Sequence, residues 1–125
     1  MEMHAGNIVQ TFAAACEALN DDTITEGLIA DGQVSADVLA RRKRFKDAEM
    51  DELAHLAKLR VRHVQERVES GLALDRAWDP EPFYAAEDFT KRQIVRTEWR
   101  HGKLQRARRR FDHRYILVPL LREGR

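Results

Sequence analysis

The stretch DAEMDELAHLAKLRVRHVQERVESG, residues 47–71, has the pattern of one long amphipathic helix. Its apolar residues recur at steps of three and four, the spacing that places side chains on one face of an α-helix. Acidic residues crowd the first turns, where the helix dipole favours negative charge. Gly71 stands where a left-handed residue would end the helix. We therefore predict a central helix over residues 47–70, with a buried stripe made of Met50, Leu53, Ala54, Ala57, Val61, Val64 and Val68.

Two leucines lie on the opposite side of this predicted helix. Leu56 and Leu59 are separated by about half a turn of the helical wheel from Met50, Val61 and Val68. Two neighbouring leucines on a second face indicate that the helix is covered on both sides, by another helix of the same chain or by a second subunit. We favour a dimer. The candidates for a partner interface are Leu56, Leu59, Trp99, Tyr115, Ile116 and Leu117.

Around the central helix the sequence predicts a mainly α fold, a small bundle of four to five helices. Further helices are expected over 7–20, 24–31, 36–45 and 91–101. Thr23 and Glu26 fit a capping box, and Ser35 and Thr90 stand at N-cap positions. Gly32 stands at the C-cap of the helix 24–31. These capping residues set the expected bounds of the helices.

The second half of the chain carries signals that interrupt helices. Two prolines in Trp78-Asp79-Pro80-Glu81-Pro82 predict a loop or linker. The apolar residues change face at His101-Gly102, which predicts a kink or, alternatively, a hairpin turn there. The run 115–121, YILVPLL, is short, apolar and partly β-branched, and predicts an extended or short-strand C-terminal segment.

One stretch resembles a known DNA-binding family. The residues TI at 23–24, LIADG at 28–32 and RRKRF at 41–45 resemble the recognition helix and arginine-rich wing of excisionase-type winged helix-turn-helix domains. The resemblance covers about 23 residues and would imply DNA recognition. Ala40 stands where the wing has its turn glycine, and Ser35 stands in place of a proline. Residues 35–45 have a stronger helical pattern than a hairpin pattern.

The net charge of +1 conceals a strong asymmetry. Residues 1–90 hold 10 Lys and Arg against 18 Asp and Glu, a net charge of −8, whereas residues 91–125 hold 12 against 3, a net charge of +9. We predict an acidic helical body, 1–90, and a basic arm, 91–125, packed in one domain. Such an arm binds nucleic acid, or it pairs with acidic surface of its own or a neighbouring subunit. The nucleic-acid candidates, within 91–114, are Arg100, Lys103, Arg106, Arg108, Arg109 and Arg110.

Catalytic and metal-binding motifs are absent from the sequence. Glu52 with His55, and His63 with Glu66, are spaced as metal ligands on a helix, but the two pairs lie two turns apart and lack further ligands. One cysteine gives no disulfide framework, and neither a signal-peptide pattern nor a long apolar run is present. We expect no cofactor, no metal, no membrane partner and no enzyme activity, and a cytoplasmic location.

The function expected from the sequence is that of a small non-catalytic binding protein acting through protein–protein contact, as an adaptor, inhibitor or assembly component. The alternative is a DNA- or RNA-binding accessory or regulatory protein that uses the arginine-rich arm. A helical enzyme subunit is a third hypothesis. These hypotheses differ in which surface has to be exposed.

Overall fold

The computed structural model of the protein describes residue 17 and residues 20–123, and within that part the chain is mainly helical and has no strand. The helices are α1 over 20–30, α2 Ala36–Asp75, α3 Glu81–Asp112 and α4 Val118–Glu123, with a π-helical turn His113–Leu117 before α4. The mainly α prediction is confirmed. The division into four to five helices around a central helix 47–70 is not matched, because the predicted helices 36–45, 47–70 and 91–101 are parts of two long helices, and the predicted C-terminal strand is absent from the described residues. The predicted helix 7–20 lies almost entirely outside the described residues.

The predicted caps are found in the turn between α1 and α2, but not at the predicted start of the first of these helices. Residues 20–22 are already helical, and the Thr25 hydroxyl donates to the Asp21 carbonyl at 2.8 Å, so no capping box opens a helix there. Gly32 has φ of 72°, and the Gln33 N–H donates to the Leu28 carbonyl, as in a Schellman motif. Ser35 caps α2 by accepting from the Val38 N–H at 3.3 Å.

Helix α2 joins two segments that were predicted as separate helices, 36–45 and 47–70, and continues to Asp75. Residues 36–45 are therefore helical, and the hairpin wing of the excisionase resemblance is wrong for this chain. Gly71 lies inside the helix, because a single glycine costs only about 1 kcal/mol relative to alanine. The end is instead formed at Ala77, which has φ of 56°, with the Trp78 N–H donating to the Ala73 carbonyl at 2.8 Å.

The loop predicted at Trp78–Pro82 is present over residues 76–80, between α2 and α3, but α3 begins before the second proline. Pro80 precedes the helix and Pro82 lies in its first turn, where a proline needs no hydrogen-bond donor. The hairpin at Gly102 is wrong, because α3 is one helix from Glu81 to Asp112; the kink there stays a prediction. The inner face of α3 in unit 2 repeats every seven residues and includes threonines that an apolar pattern does not detect. Its buried or half-buried members are Phe83, Thr90, Thr97 and Leu104.

The chain divides into two compact units. Among the described residues, unit 1 combines those up to 45 with 106–123, and unit 2 consists of residues 46–105. These units do not follow the charge boundary between residues 90 and 91. The core of unit 1 includes Phe111, Ile116 and Leu117, so the segment predicted as a strand contributes helical core residues instead. Pro119 is accommodated in the first turn of α4.

The core of unit 2 contains few large apolar side chains. Leu56, Leu59 and Ala73 are buried, and polar Glu49, Ser70, Thr90 and Thr97 are buried as well. Two of the hydroxyl groups have hydrogen-bond partners. The Thr97 hydroxyl donates to the Gln93 carbonyl at 2.8 Å, and the Ser70 hydroxyl lies 2.8 Å from Glu87 Oε2. Satisfied polar groups cost little, but they replace apolar burial that would stabilise the unit.

Candidate interaction surfaces

The stripe that was predicted to be the core side of α2 lies on the surface. We define the apolar stripe as the large apolar residues on this face of unit 2, and their exposed fractions range from 41% to 61%: Met50, Leu53, Val61, Val64, Val68 and Leu72. The two neighbouring positions of the predicted stripe, Ala54 and Ala57, are exposed too. The prediction that this side faces the core is therefore wrong, and the buried side is that of Leu56 and Leu59.

The inversion has a physical reason in the sequence. The buried side of α2 in unit 2 is completed by polar residues such as Ser70, so its apolar pattern is weaker than that of the exposed side. Fully burying a valine or leucine side chain stabilises by about 1.5–3 kcal/mol. Six such side chains left in water on one helix face are unusual for a protein that functions alone. A depression of about 320 Å³ lies on the stripe, lined by Val64, Arg67 and Val68.

A charged cluster occupies unit 1. Arg42 Nε donates to Asp112 Oδ1 at 2.9 Å, and Arg108 Nη1 donates to Asp112 Oδ2 at 3.0 Å. Arg108 also reaches Asp22 at 3.2 Å, and Arg109 lies 3.2 Å from the same carboxylate. Arg42, Arg108 and Asp112 are all buried. Buried charges of this kind persist only when they are paired, and here each has a partner of opposite sign.

Two groups of the cluster have shifted pKa values. Burial alone would raise the pKa of Asp22, but hydrogen bonds from Arg108 and Arg109 outweigh it and the pKa is lowered. Burial would lower the pKa of Arg42, while hydrogen bonds to Asp112 and to Glu26, at 2.7 Å, outweigh this and raise it. Both shifts favour the charged forms that the cluster needs. We conclude that the cluster holds α1, α2 and α3 of unit 1 together.

This pairing removes half of the nucleic-acid candidates predicted in the basic arm. Arg108 and Arg109 bind Asp22, and Arg108 is too buried to meet a phosphate at the surface. In unit 2, Arg100 pairs with Glu52 at 3.4 Å. The predicted alternative, that arginines of the arm pair with acidic residues of the body, holds for these three. The remaining candidates are exposed and form no ion pair with the described residues: Lys103, Arg106 and Arg110.

Two further basic residues on α3 were missed by the sequence analysis. Arg92 and Arg96 are exposed, and with Trp99 and Lys103 they follow the three-and-four spacing of one helix face. Lys103 Nζ lies 5.1 Å from the centre of the Trp99 ring, and Trp99 is 60% exposed. We call these four residues the basic face of unit 2. The predicted break at Gly102 concealed this spacing, which continues in sequence with Arg106 and Arg110 of unit 1.

Of the predicted partner-interface residues, one is largely exposed. Leu56, Leu59, Ile116 and Leu117 are buried within the chain, because they form the small cores of the two units. Tyr115 is half-buried, with its ring 4.9 Å from that of Phe111, and a hydrogen bond from Arg41 lowers its pKa. Only Trp99 remains available to a partner. It lies on the basic face rather than on the apolar stripe.

The two histidine–glutamate pairs considered as metal ligands differ in burial. His55 is exposed, whereas Glu52, His63 and Glu66 are half-buried, and each of these three has one buried atom without a hydrogen-bond partner among the described residues. The same part of the chain contains no group of three or more His, Cys, Asp or Glu side chains placed to hold a metal ion. These residues thus contribute polarity to the interior of unit 2.

Comparison of the chain with protein-family models, curated proteins and solved structures found no match. None of the helices in the described residues is both long enough and apolar enough to cross a membrane. The features of the described residues that bear on function are two exposed surfaces, the apolar stripe and the basic face.

Proposed function

We propose that this chain is a non-catalytic binding protein that works through protein–protein contact, and that its contact surface is the apolar stripe of α2. The observation that supports the proposal is the exposure of the stripe residues, opposite the buried Leu56 and Leu59. The chain has reversed the usual distribution in unit 2, with valines outside and threonines inside. A surface of this composition gains free energy by being covered.

The stripe has the organisation of a protein interface. Interfaces bury an apolar centre and keep charged residues at the rim. Val61, Val64 and Val68 form the centre here, and Arg60 and Arg67 flank them as exposed residues on the same helix. Because the side chains stand on a helix rather than on a loop, the surface is preformed and little conformational entropy is lost on binding.

Photo-crosslinking in the cells that produce the protein tests this function. The photoreactive residue p-benzoylphenylalanine replaces Val64 in one variant and Val95 in a matched control. Val95 is also an exposed valine of unit 2, 66% exposed, but it lies on α3. We expect ultraviolet light to give a protein adduct at position 64 and none at position 95. Absence of any protein adduct at position 64 would contradict the function.

A second candidate function is nucleic-acid binding through the basic face. It is supported by the exposure of Arg92, Arg96 and Lys103, which form no ion pair with the described residues, and by the neighbouring Trp99 ring. Cations that neutralise phosphates and a ring that stacks on bases are the two components of sequence-independent binding to single strands. A depression of about 330 Å³ adjoins this face, lined by Lys91, Arg92, Val95 and Arg96.

Fluorescence anisotropy with mixed-sequence DNA and RNA oligonucleotides tests the second function. The variant Arg92→Gln, Arg96→Gln, Lys103→Gln is compared with a variant that loses the same charge elsewhere, at Arg44, Arg62 and Arg122, which are exposed. We expect binding that weakens with salt, and a loss of affinity in the first variant only. Each phosphate contact removed lowers the slope of log K against log salt by about 0.7 to 0.9. Equal losses in both variants would exclude a specific role for the basic face.

A further inference from the structure

The apolar stripe follows a heptad repeat. Four of its residues, Met50, Val61, Val64 and Val68, are separated together with the neighbouring exposed Ala54 and Ala57 by alternating steps of four and three. This spacing is that of a left-handed coiled-coil seam, in which each residue packs between residues of a second helix with the same repeat. In heptad notation, Val61 and Val68 occupy a positions and Val64 occupies a d position.

The most suitable second helix is α2 of another copy of the same chain. One other exposed helix face in unit 2 is the basic face of α3, and pairing it with the stripe would bring Arg92, Arg96 and Lys103 towards the basic rim of the stripe. The stripe carries its own basic rim residues, Arg60 and Arg67. Pairing of these two faces would therefore bring like charges together in a desolvated contact, which disfavours it. The stripe of a second copy offers an apolar surface of matching repeat.

The charges at the e and g positions beside the seam decide whether the two α2 helices lie parallel or antiparallel. In a parallel pair, each g residue meets the e residue five positions later on the other helix. Lys46 then faces Asp51, an attractive pair, while Arg60 faces Gln65 and Lys58 faces Leu53. No like charges meet in this register.

The antiparallel arrangement is less favourable. The register that buries the whole stripe pairs residue 50 with 68, 54 with 64 and 57 with 61. In that register Lys58 meets Lys58 of the second copy, and Arg60 meets Arg60. Other antiparallel registers avoid one of these repulsions, but they leave part of the stripe uncovered. Like-charge contacts beside an apolar seam select against an orientation.

We propose that the apolar stripe is the interface of a homodimer in which the α2 segments of two copies lie parallel and in register. The inference rests on the proposed function, since it names the partner of the same contact surface. It makes the rim pair Lys46–Asp51 an intermolecular contact formed twice in the dimer. It also leaves the basic face of α3 on the outside of each copy.

Sedimentation equilibrium of the full chain tests self-association. Over about a hundredfold range of protein concentration, the mean mass is expected to rise from the chain mass of 14.5 kDa towards twice that value. Val61→Glu with Val68→Glu is expected to remain monomeric with an unchanged helical circular-dichroism spectrum. The matched control, Phe89→Glu with Val95→Glu, changes two exposed side chains on α3 and is expected to dimerise. A monomer at every concentration, or equal behaviour of the two variants, would overturn the proposal.

Disulfide crosslinking tests the direction. Two single-cysteine variants, Met50→Cys and Val68→Cys, are prepared separately in a Cys16→Ser background. One variant carries a mass tag, so that their crosslinked products differ in mass, and the two are mixed and then oxidised. The parallel dimer crosslinks position 50 to 50 and position 68 to 68, so only homodimeric products form. Crosslinks between the tagged and untagged proteins would show position 50 against 68, and would overturn the parallel arrangement.

The two proposals fail in different ways. If the chain is monomeric in solution but the Val64 photo-crosslinker captures a different protein in cells, the second copy is excluded as the occupant and the contact function stands. If the chain is monomeric and no adduct forms at position 64, both proposals are overturned. An adduct of two copies, together with a concentration-dependent mass, supports both.

Discussion

Arg42 and Asp112, which lie 70 residues apart in sequence, are joined inside unit 1 by a hydrogen bond of 2.9 Å from Nε to Oδ1. Asp112 also accepts from Arg108, so one buried carboxylate is shared by two buried guanidinium groups. One of the three acidic residues of the predicted basic arm is thus the centre of the charged cluster. The first two predictions concern this arrangement.

Removing the central carboxylate is expected to destabilise the fold strongly. Asp112→Ala leaves Arg42 and Arg108 without their shared buried partner, and loss of one partner from a buried ion pair costs about 3–5 kcal/mol in the free energy of unfolding. Urea denaturation followed by circular dichroism measures it. The control is Asp88→Ala, which removes an exposed carboxylate and should change the value by less than about 0.5 kcal/mol. Equal effects would show that the cluster is not structural.

Acid is expected to weaken the contact between Asp22 and its two arginines. The pKa of Asp22 is lowered in the folded protein, so its contribution to stability is present above the unfolded pKa of about 3.9 and is lost as the pH falls through the folded value. The difference in unfolding free energy between the natural chain and Asp22→Asn should therefore be constant near neutral pH and shrink below about pH 4. A difference that grows on acidification would contradict the sign.

The two faces of α2 are expected to respond oppositely to truncation. Leu59→Ala removes a buried side chain and should lower the free energy of unfolding by about 2–5 kcal/mol. Val64→Ala removes an exposed side chain and, in protein dilute enough to be monomeric, should change it by less than about 0.5 kcal/mol. Denaturant titrations at low concentration compare them. A larger loss for Val64→Ala would show that the stripe is buried within one chain.

Glycine-to-alanine substitutions are expected to differ in sign at two positions. Gly71 lies within α2, where alanine is the better helix former, and an added Cβ would meet no atom within 4 Å, so Gly71→Ala should stabilise by about 0.5–1 kcal/mol. Gly32 has φ of 72°, so Gly32→Ala should destabilise by about 1–2 kcal/mol although the space there is open. Thermal or urea unfolding decides both. Ala77→Gly, at φ of 56°, tests the same principle in the stabilising direction.

The sequence predicted the class of the fold because helical spacing and caps such as Ser35 and Gly32 are local. It did not predict which face of α2 is buried. Two stripes lie on that helix, and the more apolar one is outside, so hydrophobicity favoured the wrong side. The same limitation applies to α3, where buried Thr90 and Thr97 carry the inner face and an apolar pattern fails to find them.

The basic residues show a related limit. A run such as Arg106 to Arg110 predicts one positively charged surface, but residues that are adjacent in a helix point in different directions. Arg108 is directed into unit 1 and Arg110 to the solvent. Sequence spacing would have separated them had the helix been predicted to continue through Gly102. The long-range partners Asp22 and Glu52 could not have been assigned from local patterns.

The polar interior of unit 2 has a consequence for the response of the protein to temperature. The heat-capacity change of unfolding grows with the apolar surface that becomes exposed and falls with the polar surface. A unit whose interior contains Thr90, Thr97 and Ser70 beside only two buried leucines therefore has a small heat-capacity change on its own. Its stability curve is broad and shallow, and covering the apolar stripe would sharpen that curve. Association would thus set the temperature range over which this protein remains folded.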